Sequence, residues 1–225
     1  MKSYNIFLKS GFTLAEVLIT LGIIGVVAAM TIPNLITKIG EKRTVSQLRA
    51  THSILSQALR LAEEEHGDAS GWTQEVWSEK GAKEIADKLK PSIKIAIDCG
   101  TYDPNGYCIQ RKYQRRNGQA HDIDYATDKR YYKVVLLNGT AIWWKSTDIV
   151  EKQKGGYISF FVDTNGTNMP NQWGQDLFLF TYDQNSIRPL GAPDSIYPYE
   201  TSCKPKNSTG YGCAYYVLQT QSMKY

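Results

Sequence analysis

The sequence predicts an α+β fold in which a long N-terminal helix packs on the antiparallel β-sheet of a C-terminal head. Residues Phe12 to Ile36 form an apolar run that contains a single charge, Glu16, and an amphipathic pattern follows it. From Trp72 onward strand-forming residues dominate, since the 5 Trp and most of the 15 Tyr lie in this part. The expected boundaries are 12–66 for the helix and 67–225 for the head.

The composition is that of a folded protein and excludes wholesale disorder. The chain has 225 residues, of which 42% are hydrophobic and 21% are charged, so it can form one compact domain with an appended element. The net charge is +4, and the basic residues are scattered. The densest basic cluster, Arg111, Lys112, Arg115 and Arg116, is interpreted as a solvated loop, and no nucleic-acid partner is expected.

The apolar run is long enough to cross a membrane, because about 20 apolar helical residues span a hydrocarbon core of roughly 30 Å. An ordinary secretory signal has its cleavage site after the apolar segment. Here Lys2, Lys9 and Ser10-Gly11 precede the run, so a cut after Gly11 would leave the hydrophobic segment on the mature protein. We therefore predict a leader at 1–11 and a transmembrane segment at 12–36.

Residues Gly11 to Ile19, with the sequence GFTLAEVLI, resemble the N-terminal motif of type IV prepilins and type II secretion pseudopilins. The resemblance continues through Gly25 and Pro33. It implies cleavage after Gly11 on the cytoplasmic side by a prepilin peptidase and methyltransferase, and N-methylation of Phe12. It also implies a single-pass protein of the inner membrane, with its head outside the cytoplasm, whose partners are other pilin or pseudopilin subunits in a homopolymer or heteropolymer.

Glu16 is a carboxylate within hydrocarbon, which costs from about 2.5 kcal/mol upward unless the charge has a partner. After cleavage the α-amine of Phe12 would lie one helical turn away on the same face, so neutralisation within the chain is one arrangement. The resemblance implies another, in which Glu16 meets the N-terminal amine of an adjacent subunit and sets the register of assembly.

Two further residues of the apolar run are assigned to assembly. Pro33 removes one backbone hydrogen bond and crowds the preceding turn, which predicts a kink or local melting. Gly25, with Gly22, would permit close approach of neighbouring helices. Glycine is also common in membrane helices, which explains both glycines without an assembly role.

The head is predicted to contain an antiparallel sheet of about four strands. Tyr131 to Leu137 and Thr140 to Lys145 flank Asn138-Gly139, which favours a type I′ hairpin turn. Two further strands are expected at Tyr157 to Val162 and Asp176 to Tyr182, with an edge element at Ile93 to Ile97. One short helix is expected around Ala82 to Leu89.

Four cysteines form two close pairs in the sequence and allow three connectivities. A head outside the cytoplasm favours disulfides, and pairing of nearest neighbours favours Cys99–Cys108 and Cys203–Cys213. The second pair resembles the C-terminal disulfide loop of many type IV pilins. Zinc coordination is disfavoured, because no pair has Cys-x-x-Cys spacing and the three histidines are scattered.

The segment from Asp163 to Asp176 clusters carboxylate and amide oxygens in a glycine-containing loop. Asp163, Asn165 and Asp176 would suit a hard cation, and calcium is the one candidate cofactor. The resemblance adds that several pseudopilins carry calcium in a comparable loop. The segment departs from the EF-hand loop, because it has no closing glutamate, and a long turn with Asx-type hydrogen bonds explains the same residues.

No catalytic signature is present in the sequence, which lacks a nucleophile elbow, a phosphate-binding loop and a His-Glu-x-x-His pair. We therefore expect a structural subunit of a pilus or pseudopilus rather than an enzyme. The alternative is a membrane-anchored extracellular binding module, an adhesin or a receptor for DNA or glycans, that does not polymerise. Its loop aromatics would stack on sugars or bases: Trp143, Trp144, Tyr197 and Tyr199.

Overall fold

The computed structural model describes residues 11–147, 158–183 and 185–225. Residues 1–10 of the predicted leader and Tyr157 of a predicted strand lie outside these ranges. The chain divides into two compact units, Met1–Gly40 and Glu41–Tyr225. The first contains the N-terminal part of helix α1, and the second contains the rest of α1 and the head.

Helix α1 extends from Leu14 to His66. It begins two residues after the predicted start, because Thr13 precedes it as a capping residue. It ends where Gly67 adopts a left-handed conformation, with φ +78°, and donates its N–H to the Glu63 carbonyl at 2.9 Å. Glycine is favoured at this position because it has no Cβ to clash.

Pro33 lies inside α1, and the helix is continuous on both sides of it. The prediction of local melting is therefore wrong. The proline removes only its own hydrogen bond, and the adjacent helical turns keep theirs. Thr37 Oγ1 also donates to the Pro33 carbonyl at 3.1 Å, which holds the next turn against it.

The head contains a six-stranded antiparallel sheet whose spatial order follows the chain. The α+β prediction is confirmed, but the sheet has more strands than expected. The last strand has only four residues and is too short to be recognised by pattern. The strands are β1 Ile95–Gly100, β2 Tyr132–Leu136, β3 Ala141–Ser146, β4 Ile158–Asp163, β5 Leu177–Asp183 and β6 Ser186–Pro189.

The hairpin between β2 and β3 forms at the predicted place with a different turn. Gly139 has φ +82°, whereas Asn138 does not have a positive φ, so the turn is not type I′. Gly139 N donates to the Leu136 carbonyl at 3.0 Å, and Leu136 N donates to the Thr140 carbonyl at 2.9 Å. This is a three-residue loop with glycine in the left-handed position, the next most common hairpin connection.

The sheet is covered on both faces. Val134, Ile142 and Val162 align across β2, β3 and β4 on the face that packs with α1, including Leu48 and Leu55. Helix α2, Glu79–Leu89, joins the same core, and its Ser78 cap accepts a hydrogen bond from Gly81 N. Burial on both faces explains why the central strands are almost continuously apolar in sequence.

The opposite face of the sheet carries a second core. Trp143 and Phe161 are register partners on β3 and β4, and their rings stack with centroids 5.6 Å apart. Tyr113, Tyr125 and Trp173 cover them from connecting segments. The chain then forms two short helices, α3 Tyr199–Ser202 and α4 Cys213–Thr220, which the sequence pattern did not predict.

Candidate assembly segment and head sites

The residues on either side of the predicted cleavage point are exposed. Gly11, Phe12 and Thr13 precede α1, and 89% of the surface of Phe12 is exposed. A Cβ placed on Gly11 would meet no atom within 4 Å. Packing within the chain therefore does not require glycine at position 11.

Thr13 and Glu16 form a reciprocal capping box at the start of α1. Glu16 N donates to Thr13 Oγ1 at 3.2 Å, and Thr13 N donates to Glu16 Oε2 at 2.8 Å. Thr13 Oγ1 donates to the same carboxylate oxygen at 2.9 Å. The pair satisfies two backbone donors that a helix start leaves free. In the uncleaved chain, Glu16 is thus bound by Thr13, and it has no cationic partner among the residues that the structure describes.

The apolar residues of α1 between Leu14 and Ile39 are not covered by the part of the chain that the structure describes. Leu14, Met30 and Ile36 are 64–78% exposed, and no residue of the most apolar 18-residue window is buried. Among the described residues, α1 is the one helix long and apolar enough to cross a membrane, by length and composition. Such a continuous apolar surface requires lipid or other protein.

Gly22 and Gly25 also have open surroundings. A Cβ placed at either position would meet no atom within 4 Å. No described residue of this chain therefore requires glycine, rather than a residue with a side chain, at either position. A requirement for them would have to come from a neighbouring molecule that packs against this side of α1.

The structure contains two disulfides, Cys99–Cys108 and Cys203–Cys213, which are the pairs that the sequence favours. Cys203 and Cys213 are fully buried in the main core. Asp103 lies close to the sulfur atoms of the first pair. Its carboxylate accepts hydrogen bonds from Tyr107 N and Cys108 N at 3.0 and 2.9 Å. Since both sulfurs are in a disulfide, this group is not a metal site.

The loop between β4 and β5 brings its two carboxylates into the protein interior. Asp163 Oδ2 accepts a hydrogen bond from the Tyr113 hydroxyl at 2.8 Å, and Asp163 Oδ1 accepts one from Asn165 N at 3.2 Å. The Asp176 carboxylate accepts hydrogen bonds from Asn171 N and Gln172 N at 2.7 and 2.6 Å. Both aspartates are almost completely buried. The loop thus uses its carboxylates as caps for its own backbone, as the Asx-turn interpretation predicts.

The same loop also contains buried side-chain oxygens that lack a donor among the described residues. Burial raises the pKa of the Asp163 carboxyl well above its usual range, and the nearby charge of Asp176 raises it further. Burial also raises the pKa of Asp176. The Oδ1 atoms of Asn165 and Asn171 are buried without a hydrogen-bond donor. Buried carboxylates beside unpaired amide oxygens are the ligand chemistry that calcium uses, so these residues fit the cation. Asn171 is a candidate ligand that sequence reasoning missed.

The aromatic and basic residues that the sequence placed in loops have other roles. Trp143 and Trp144 lie on β3 and are fully buried, one on each face of the sheet, so they are not exposed loop aromatics. Tyr197 and Tyr199 are only half-buried. In the basic cluster, Arg111 pairs with Asp124, Arg115 pairs with Asp122, and Arg116 donates to the carbonyls of Cys203 and Tyr225.

This chain is similar to known proteins in two respects: a family model matches its N-terminal segment, and one relative matches it over a longer stretch. The family model described as "Prokaryotic N-terminal methylation motif" matches residues 7–32. A "Fimbrial protein" of Dichelobacter nodosus is 26% identical over 149 residues, which cover 64% of this chain and 92% of the relative. No solved structure matches this chain. The matched residues include the predicted cleavage point, the capping box and the first part of the exposed apolar helix.

Proposed function

We propose that this chain, which belongs to the type IV pilin and pseudopilin family, is a structural subunit of a type IV pilus or a type II secretion pseudopilus. The observation that carries the proposal is the helix in residues 14–39, whose apolar side chains are uncovered in the isolated chain. In the membrane, lipid would cover these side chains. After assembly, helices of adjacent subunits would replace the lipid.

The processing steps are part of the same proposal. A prepilin peptidase and methyltransferase cleaves after Gly11 and methylates Phe12, and the exposed residues 11–13 support access to this bond. Before assembly, α1 anchors the chain in the inner membrane with the head outside the cytoplasm. The two disulfides support a location of the head outside the cytoplasm, because disulfides persist outside that reducing compartment. The role is one of assembly rather than catalysis.

Processing and assembly can be tested with Gly11→Val. The substitution should block cleavage, because it changes the residue before the predicted cut. It should leave the fold intact, because a Cβ at this position meets no described atom within 4 Å. We expect the variant to keep its leader in the membrane and to be missing from the sheared or purified polymer. Gly40→Ala is the matched control, since a Cβ there also meets no atom and the residue lies outside the matched motif. A variant that polymerises with residues 1–11 still attached would overturn the proposal.

We further propose that the loop between β4 and β5 binds calcium. Asp163 and Asp176 would supply carboxylate oxygens, and Asn165 and Asn171 would supply the two amide oxygens that lack donors. A bound cation would offset the cost of burying two carboxylates that have no ion pair among the described residues. Its function would be to stabilise the loop against the sheet.

Calcium binding should appear as added thermal stability of the full chain in detergent. A ligand at 100 times its Kd contributes about 2.7 kcal/mol, which corresponds to a rise in Tm of about 5–10 °C for a domain of this size. Asp163→Asn should remove the calcium-dependent rise, since it deletes one ligand charge. Asp87→Asn, at an exposed position on α2, should keep it. Equal Tm values for the wild-type chain in calcium and in chelator would rule out the site.

A further inference from the structure

The head contains a cavity of about 280 Å³ on the sheet face opposite α1. Its floor includes Lys145, Ser159 and Thr181, which are register partners on β3, β4 and β5. They form a polar row on this face of the sheet, next to apolar residues of the same strands such as Trp143, Phe161 and Leu179. The cavity lies in the head, and none of the four proposed calcium ligands lines it, although Trp173 of the loop between β4 and β5 does.

Lys145 is buried in the wall of this cavity and has no acidic partner among the described residues. It is 8% exposed, and its ammonium lies 3.5 Å from the centroid of the Trp77 ring and 5.3 Å from that of Tyr131. Within residues 11–147, 158–183 and 185–225, no carboxylate lies within ion-pair distance of it. Buried lysines are normally paired, because an isolated buried ammonium is costly. Burial lowers the pKa of Lys145 to about 8.

The acidic residues of the cavity are held by another cation. Arg188 lies 3.0 Å from Asp183 and 3.0 Å from Asp194, so both carboxylates are ion-paired away from Lys145. Burial lowers the pKa of His121 below its usual value, which disfavours a positive charge on this ring. In the part of the chain that the structure describes, the cavity therefore offers Lys145 as a cation that can receive an anionic group, and two paired carboxylates that would repel a ligand of high negative charge.

A second donor in the cavity wall lacks an acceptor. Trp173 lines the cavity and is 1% exposed, and its Nε1–H has no hydrogen-bond partner among the described residues. A buried indole N–H usually finds an acceptor. The ammonium of Lys145 and the indole of Trp173 thus both favour a ligand that brings an acceptor oxygen.

Aromatic rings form much of the remaining wall. Trp173 and Tyr211 meet edge to face with centroids 4.6 Å apart, and Tyr197 lies 5.1 Å from Tyr211. Tyr125 and Phe161 continue the wall towards the sheet. Such surfaces favour flat or ring-shaped ligands, because rings stack on aromatic faces.

We propose that this cavity binds a small ring compound that carries one carboxylate, with the carboxylate at Lys145 and the ring against the aromatic wall. The volume of about 280 Å³ lies just below the usual range for ligand pockets, about 300–1,000 Å³, which indicates a ligand of roughly monosaccharide size. An acidic sugar and an aromatic acid share this chemistry. The proposal goes beyond subunit assembly and does not depend on it.

Titration calorimetry of the full chain in detergent tests the proposal with two matched pairs of probes. D-galacturonate is compared with D-galactose, and benzoate with benzyl alcohol, so each acid has a neutral analogue of similar shape. We expect at least one acid to bind about tenfold or more tightly than its analogue. Galacturonate alone would indicate an acidic sugar, and benzoate alone an aromatic acid. Equal affinity within both pairs, or no binding of either acid at about 5 mM, would overturn the proposal.

The variant Lys145→Met assigns the binding to the cavity. It should weaken binding of the acid about tenfold or more while the Tm stays equal or rises, because the buried ammonium has no acidic partner among the described residues. Lys112→Met, at an exposed lysine, should bind as the wild-type chain does. If Lys145→Met does not fold, Thr181→Trp, which fills the cavity from its floor, serves in its place. Unchanged binding in the folded variant would contradict the assignment.

Discussion

Replacing Glu16 by Gln should lower the assembled fraction of the chain by about tenfold or more, while the protein is still made, cleaved and held in the membrane. The reason is the charge. A carboxylate in an apolar environment is costly, and the amine of Phe12 on an adjacent subunit would neutralise it only when the subunits are in register. The measurement is the amount of mature chain in the polymer and in the membrane, in a strain that lacks the wild-type copy.

The capping box at the start of α1 allows the effect of the Glu16 charge to be separated from the effect of helix capping. In the Glu16→Gln variant, the side-chain amide oxygen can still accept from Thr13 N, as the Glu16 carboxylate does at 2.8 Å, so the helix start keeps that bond. Thr13→Ala is the complementary control, because it removes the threonine hydroxyl from the box and keeps the carboxylate charge. We expect Thr13→Ala to assemble at more than about half of the wild-type level. If Thr13→Ala fails as severely as Glu16→Gln, capping rather than charge decides assembly.

Removal of the Cys203–Cys213 disulfide as a Cys203→Ala, Cys213→Ala pair should lower the free energy of unfolding of the head by about 2–4 kcal/mol. The bridge closes a loop with a sequence separation of 10 residues, and both sulfurs are fully buried next to Ala214 and Val217 of α4. Loss of the bridge therefore releases the loop in the unfolded chain and also leaves a void in the core.

The other disulfide provides a matched comparison. Cys99–Cys108 has a sequence separation of 9 residues, so its loop entropy is nearly the same. Cys99 is half-buried, so less core volume is lost when it is shortened. We expect the Cys99→Ala, Cys108→Ala pair to be less destabilised by about 1–2 kcal/mol in chemical denaturation of the full chain in detergent. Equal losses of unfolding free energy in the two variants would show that burial of Cys203 and Cys213 adds nothing to stability beyond the loop closure.

The helix and the hairpin could be predicted because their signals are local. The long apolar and amphipathic pattern indicated α1, and Asn138-Gly139 marked the β2–β3 turn, although the turn type depends on the Asn138 backbone and was predicted wrongly. Strand β6 and helix α4 are short, and their existence depends on pairing with β5 and on the Cys203–Cys213 bridge. Such tertiary causes leave little trace in a local pattern.

The candidate sites also differ in how far the sequence predicts them. The capping box has a sequence signature, Thr13-x-x-Glu16, that could have been recognised beforehand. The burial of Asp163 and the unpaired oxygen of Asn171 depend on Tyr113 and on the folded loop, which spacing along the chain does not reveal. The cavity around Lys145 is assembled from segments far apart in sequence, including Trp77 and Trp173. Only the folded head brings them together.

The most direct test of the central claim is the intact mass of the chain recovered from its native membrane or polymer. A processed and assembled subunit should begin at N-methylated Phe12, and the two disulfides should make it four hydrogens lighter than the reduced chain. Recovery of the chain with Met1 to Gly11 still attached, in the polymer as well as in the membrane, would contradict its role as a cleaved subunit.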